Sequence, residues 1–283
     1  MTGPYGYHFG KAAEVPCAAR HQRNIDLALI NYKTFFRADY KPSLDFYDKL
    51  FPIASKLQGY PDWRTDRLKI TLQNFDEQCS FSLTCSNFVY VRDLKQEQAQ
   101  GQDDKRIDAI LKAVQPQMQA QNYERLGLRC WFLQSVAMSF DELVSLISEK
   151  FFLQTREIKE GICPLPTDVA YVVHFDNNGL EVRLRLGPLK REKIEPQFQP
   201  DRDTNFPIKK RVLSPEELFA EFPEVSLLVD ADISRKSVPS KELYQTYTEA
   251  QTLQSKLSQN IARYVFGNED EAAHSAENFM PGF

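Results

Sequence analysis

Residues Tyr123–Phe152, YERLGLRCWFLQSVAMSFDELVSLISEKFF, hold both kinds of regular structure in one continuous run. From Arg125 to Phe132 the residues alternate. With a period of two, Arg125, Gly127, Arg129 and Trp131 share one face of a strand, and Leu126, Leu128, Cys130 and Phe132 share the other. After Ser139 the spacing changes: Phe140, Leu143, Ile147 and Phe151 recur at threes and fours, which predicts an amphipathic helix capped by Ser139. A half-exposed strand feeding such a helix predicts an α+β fold, an antiparallel sheet carrying helices on one face.

Working toward the N-terminus, three strands are predicted at Leu68–Phe75, Gln78–Thr84 and Asn87–Leu94, with the tight spacing of an antiparallel meander. Gln96–Asp104 reads as an exposed polar loop, followed by a helix over Asp104–Gln119 that Pro116 ends or kinks early. Before the meander come a strand at Ile25–Tyr32 and a helix after Pro42-Ser43, with Leu44, Tyr47, Leu50, Phe51 and Ala54 on one stripe. Toward the C-terminus, Asp176-Asn177-Asn178-Gly179 joins Val169–Phe175 to Leu180–Leu186 as a hairpin, since Asn-Gly suits the left-handed backbone of a two-residue turn. Val225–Ile233 reads as a strand and Ser240–Phe266 as the longest helix.

This order predicts two related layers of antiparallel sheet packed with helices and closed by the long C-terminal helix. Residues 1–22 form an irregular N-terminal arm, 23–158 a first α+β half, and 159–267 a second half that includes a long connection at 187–212. Residues 268–283 form a flexible acidic tail.

Composition narrows the function. A net charge of −4 gives no global basic field for nucleic acid or an anionic membrane, and no run of eighteen apolar residues exists to span a bilayer. The odd, scattered cysteines (Cys17, Cys79, Cys85, Cys130, Cys163) fit reduced thiols in a cytoplasmic protein. No G-x-S-x-G, phosphate-cradling glycine loop or paired histidine motif occurs, so no cofactor, metal or catalytic constellation is implied.

What remains is charge on sheet faces. Arg125, Gly127 and Arg129 stand together, and Arg183 and Arg185 alternate with Val182, Leu184 and Leu186 on the hairpin. Arginine's planar fork suits carboxylate or phosphate, and the glycine gives a ligand room to approach. Against this stand Asp230 and Asp232, which share one strand face and offer cross-strand ion pairs instead. A second basic cluster, Lys190, Arg191, Lys193, Lys209, Lys210 and Arg211, lies in the long connection and is a candidate for nucleic acid. The aromatic ends, Tyr5, Tyr7 and Phe9 in the arm and Phe279, Met280 and Phe283 in the tail, are candidates for binding a partner.

The strand Arg125-Leu126-Gly127-Leu128-Arg129, after a meander and before an amphipathic helix, resembles the hallmark of a sporadically distributed bacterial family of uncharacterised proteins. That family's strand reads Arg, aliphatic, Gly, Leu, Arg, aromatic. Here Cys130 takes the aromatic position, with Trp131 beside it. The family's ending, an Asp-containing strand and a long helix, is matched by Asp230 and Asp232 and by Leu243–Phe266. The resemblance spans Ile25–Phe266 and implies an architecture without catalytic residues.

The leading expectation is therefore a non-catalytic binding or assembly protein acting through another protein or through self-association. The alternative is an anion or single-stranded nucleic-acid binder using the arginine face or the basic connection. An enzyme of unassigned reaction stands third.

Overall fold

The computed structural model describes residues 30–42, 45–65, 69–74, 76–93, 100–118, 120–151, 167–193 and 222–267. Within them nine strands form one antiparallel sheet: β1 Ile30–Tyr40, β2 Asp62–Thr65, β3 Lys69–Asn74, β4 Cys79–Thr84, β5 Asn87–Asp93, β6 Asn122–Ser135, β7 Tyr171–Asn177, β8 Leu180–Lys190 and β9 Val225–Pro239. Their order across the sheet is β2-β3-β4-β5-β1-β6-β9-β8-β7. The helices are α1 Phe46–Ala54, α2 Gln100–Met118, α3 Phe140–Phe151 and α4 Leu243–Phe266, the last entered through a 3-10 turn at Ser240–Glu242.

Among the described residues two separate layers are not seen. The halves meet where β6 pairs with β9, from Asn122 opposite Pro239 to Ser135 opposite Ser226, and that ladder fuses them into one sheet. Both strands are long and both lead into a helix, so the repeated order strand-then-helix is present while the layering is not.

The helices pack on the face that carries Phe36, Leu128 and Ile233. Tyr247 of α4 meets Phe36 edge-on at 5.2 Å between ring centroids, and Phe151 of α3 meets Tyr171 at 4.7 Å. The same face buries Phe81, Phe88, Leu184, Val229 and Ala231, so the leucine side of the strand at Arg125–Phe132 is indeed the core side. Ser139 and Glu142 cap α3 reciprocally: Glu142 N–H donates to Ser139 Oγ at 3.2 Å and Ser139 N–H to Glu142 Oε2 at 2.7 Å. In the β7–β8 hairpin, Asn178 and Gly179 have φ of 53° and 79°, the paired left-handed conformation that an Asn-Gly turn supplies.

Three expectations need correction. The strand read at Ile25–Tyr32 is found as Ile30–Tyr40, with residues 25–29 outside the described ones. Pro116 does not end α2 early: the helix runs on to Met118, although the proline ring gives up the bond that an N–H at that position would donate to the Lys112 carbonyl. The segment read as an exposed polar loop contributes the first turn of that helix, beginning at Gln100, and Asp103 within it is buried.

Asp103 is buried because it is paired. Arg92 Nε lies 2.7 and 2.9 Å from its carboxylate oxygens, Thr34 Oγ1 donates at 2.8 Å and Tyr90 Oη at 2.7 Å. This cluster pins the start of α2 to β1 and β5, and the adjacent Asp104 receives the Tyr247 hydroxyl of α4 at 2.9 Å. Removing one partner of a buried ion pair strands the other charge, at a cost of about 3–5 kcal/mol. The Asp103→Ala protein is expected to lose that much stability in urea unfolding, and a loss below about 1 kcal/mol would contradict the anchoring role.

Candidate functional site

Among the described residues no helix packs on the other face of the sheet, and the sequence places the arginines there. The alternation does most of this, helped by one irregularity. The β1–β6 register shifts between Asp39 and Tyr40, so Tyr123 and Leu126, three residues apart, are both buried while Arg125 stays on the open side.

At the centre of this face is a concavity of about 400 Å³. β1 supplies Lys33, Phe35 and Arg37; β6 supplies Arg125, Gly127, Arg129 and Trp131; β9 supplies Asp232. Gly127 forms part of the lining, and the Arg125 guanidinium folds over it: a Cβ added there would meet Arg125 Nε at 3.9 Å, ordinary contact distance. The Trp131 ring has Lys33 Nζ 5.5 Å and the Arg129 guanidinium carbon 5.6 Å from its centroid.

The charges are unequally matched. Register sets Asp232 between Arg129 on β6 and Arg183 on β8, and Asp230 between Trp131 and Arg185. Both aspartates lean toward β6. Asp230 takes the Arg129 fork, Nε at 2.8 Å and Nη2 at 2.7 Å, which raises the pKa of that guanidinium above its ordinary value. Asp232 lies 3.8 Å from Arg125. Arg37 is paired with Asp39 at 2.7 Å, and Glu181 with Lys236 at 2.7 Å. Arg183 and Arg185 are exposed and make no ion pair or side-chain hydrogen bond with any described residue. By register, Lys33, Arg37, Arg125, Arg129, Arg183 and Arg185 thus share the centre of this face with Asp39, Asp93, Asp230 and Asp232, and cations outnumber acids there on a chain that is acidic overall.

The five residues of the arginine-face reading therefore share one surface, divided between engaged (Arg129, and Arg125 at longer range) and unengaged (Arg183, Arg185). Lys33, Phe35 and Arg37 fall outside the sequence reading, which ends the first strand at Tyr32. The signal for them is the alternation of Lys33, Phe35, Arg37 and Asp39 with Thr34, Phe36, Ala38 and Tyr40.

The described part of the basic connection does not extend this patch. The Lys190 ammonium lies 4.7 Å from the Phe140 ring centroid of α3, on the helix side, and Lys193 pairs with Asp168 at 3.3 Å. Arg191 N–H donates to Glu224 O at 3.1 Å. Lys209, Lys210 and Arg211 lie outside the described residues, as do Tyr5, Tyr7, Phe9, Phe279, Met280 and Phe283. His174 is exposed on β7 opposite Arg183, at the margin of the face. No helix among the described residues is long and apolar enough to cross a membrane.

No protein-family model matches the chain, and no curated protein matches it either. The likeness carried by the Arg125–Arg129 strand rests on those residues and on the element order.

On the helix side, burial pushes the Cys130 thiol up to about 12 and the Cys79 thiol up to about 11, so neither forms the reactive thiolate near neutral pH. Both are expected to escape iodoacetamide at pH 8 in the native protein and to react fully in urea. Peptide mass spectrometry reads the outcome, and native labelling of either would contradict their placement in the core.

Proposed function

We propose that the open face of the sheet binds a ligand combining phosphate with an unstacked base, that is, single-stranded nucleic acid, and that the protein acts by binding and not by catalysis. The observation that carries this reading is the pair Arg183 and Arg185, exposed and without an ionic partner among the described residues, on the same face as Trp131 and Phe35. Sequence-tolerant nucleic-acid surfaces combine a cationic track for the backbone with aromatic rings on which bases stack. Here the cations run from Lys33 and Arg37 on β1 over Arg125 and Arg129 to Arg183 and Arg185 on β8. That is three strand spacings, or about 14 Å.

In this reading a base lies against Phe35 or Trp131 and its phosphate against the cationic lining of the concavity. Arg183 and Arg185 take the next phosphate along the strand. The chain's net charge of −4 supplies no long-range attraction, so binding depends on this local patch. The expected role as an assembly subunit through the terminal aromatics rests on residues outside the described ones, which leaves the open face as the better supported surface.

A fluorescein-labelled oligothymidylate of about 20 nucleotides tests this by anisotropy across a salt series. Binding is expected to be saturable. Arg183→Ala and Arg185→Ala are each expected to make the log–log salt slope shallower, by about 0.7 for every phosphate that the variant no longer neutralises. Trp131→Ala is expected to cost about 1–3 kcal/mol of binding. Gly127→Val, which fills the concavity without a steric clash at its Cβ, is expected to weaken binding while leaving the urea midpoint in place. Competition by thymidine monophosphate as effective as by the oligomer would restrict the ligand to a mononucleotide. Equal competition by inorganic phosphate, or wild-type binding by the arginine variants, would overturn the proposal.

A further inference from the structure

A second surface, at the edge of the sheet beyond β3, carries an independent reading. Among the described residues β2 is the terminal strand, bonded to β3 on one side only, and all of Asp62, Trp63, Arg64 and Thr65 are exposed. Edge strands present unpaired backbone donors and acceptors, and proteins usually cover or blunt them. This one is extended by apolar surface instead. Trp63 is 56% exposed, and its ring meets Phe51 of α1, 72% exposed, edge-on at 6.2 Å between centroids. Tyr47, one helical turn earlier, is 55% exposed. Of the large hydrophobic side chains left in solvent among the described residues, these three are neighbours on one edge, and such clustering marks an interaction site more often than chance exposure does.

The charge pattern identifies the occupant. Trp63 stands opposite Leu72 and so lies on the helix side of the sheet, whereas Asp62 and Arg64 stand opposite Gln73 and Thr71 and point to the other side. Neither charged side chain makes an ion pair or hydrogen bond with any described residue. If two copies pair antiparallel about a two-fold axis through Trp63, Asp62 stands opposite the partner's Arg64 and Arg64 opposite the partner's Asp62. The same axis brings Trp63 against the partner's Trp63, with Phe51 alongside. Asp-Trp-Arg is therefore its own complement across a two-fold, as an isologous interface requires. Opposite charges in register and an aromatic cross-strand pair are the contacts that stabilise adjoining strands. We infer that β2 is a self-association edge, at which a second copy of this chain docks strand to strand and the sheet continues through both protomers.

Sedimentation velocity of the full chain over a concentration series tests this, with far-UV circular dichroism to verify that each variant is folded. The wild type is expected to pass from one-chain to two-chain mass as concentration rises. Asp62→Arg sets arginine opposite arginine and Arg64→Asp sets aspartate opposite aspartate, so each variant alone is expected to stay at one-chain mass. Mixed in equal amounts, the two restore opposite charges in register and are expected to recover the two-chain mass. Trp63→Ser, which removes the aromatic pair at the axis, is expected to weaken association at least about tenfold. A wild type that stays at one-chain mass up to about 100 μM, where a standard-sized specific interface would be occupied, would overturn the inference. Single reversals that still dimerise, or a mixture that does not recover, would overturn it too.

Discussion

Two aspartates on β9 stand between four arginines on its two neighbours, and the chemistry of the open face follows from that mismatch. The register fixes it: Asp232 has Arg129 on one side and Arg183 on the other, and Asp230 has Trp131 and Arg185. Asp230 commits both of its oxygens to Arg129. Asp232 lies toward Arg125. With both carboxylates drawn to β6, Arg183 and Arg185 on β8 have no described acid to neutralise them. A one-residue slip of β9 against β6 would turn the aspartates into the core and Leu227, Val229, Ala231 and Ile233 into solvent, so the burial of those four enforces the charge pattern as much as the fold.

The helix side of the same sheet handles charge in the opposite way. There Arg92 and Asp103 are both buried and matched one to one, with Thr34 and Tyr90 satisfying the remaining oxygen sites. An unmatched charge in that position would cost several kcal/mol, whereas on the open face water solvates what protein does not. One face has been balanced and sealed by α2, α3 and α4; the other keeps cations in surplus around a glycine-lined concavity. The difference between the faces, rather than any single residue, is what recommends the open one as the proposed binding surface.

Much of this is legible in the sequence because it rests on periodicity. The alternation from Arg125 to Phe132 assigns the face of every residue in that run correctly, and Asn178-Gly179 marks the hairpin that carries Arg183 and Arg185. The long helix and the meander follow from equally regular patterns. Lys33, Phe35 and Arg37 escape because Phe35-Phe36 reads as an apolar break in the alternation, although only Phe36 is in the core. Asp103 escapes because its partner, Arg92, lies on another element and polar composition around it resembles a loop. The short edge strand at Asp62–Thr65 escapes because its four residues are exposed on both faces and leave no amphipathic trace. The fusion of two halves into one sheet depends on which strands lie side by side, and residue patterns within strands do not encode that.

The most direct measurement is the response of the arginine side-chain Nε–Hε resonances to thymidine monophosphate and to an oligothymidylate. If the account holds, the signals of Arg183 and Arg185, broadened by water exchange in the unliganded protein, sharpen and shift on titration, while that of Arg92, sealed with Asp103, does not move. Arg183 and Arg185 signals that are already sharp and protected without ligand, or that ignore both ligands to saturation, would contradict it.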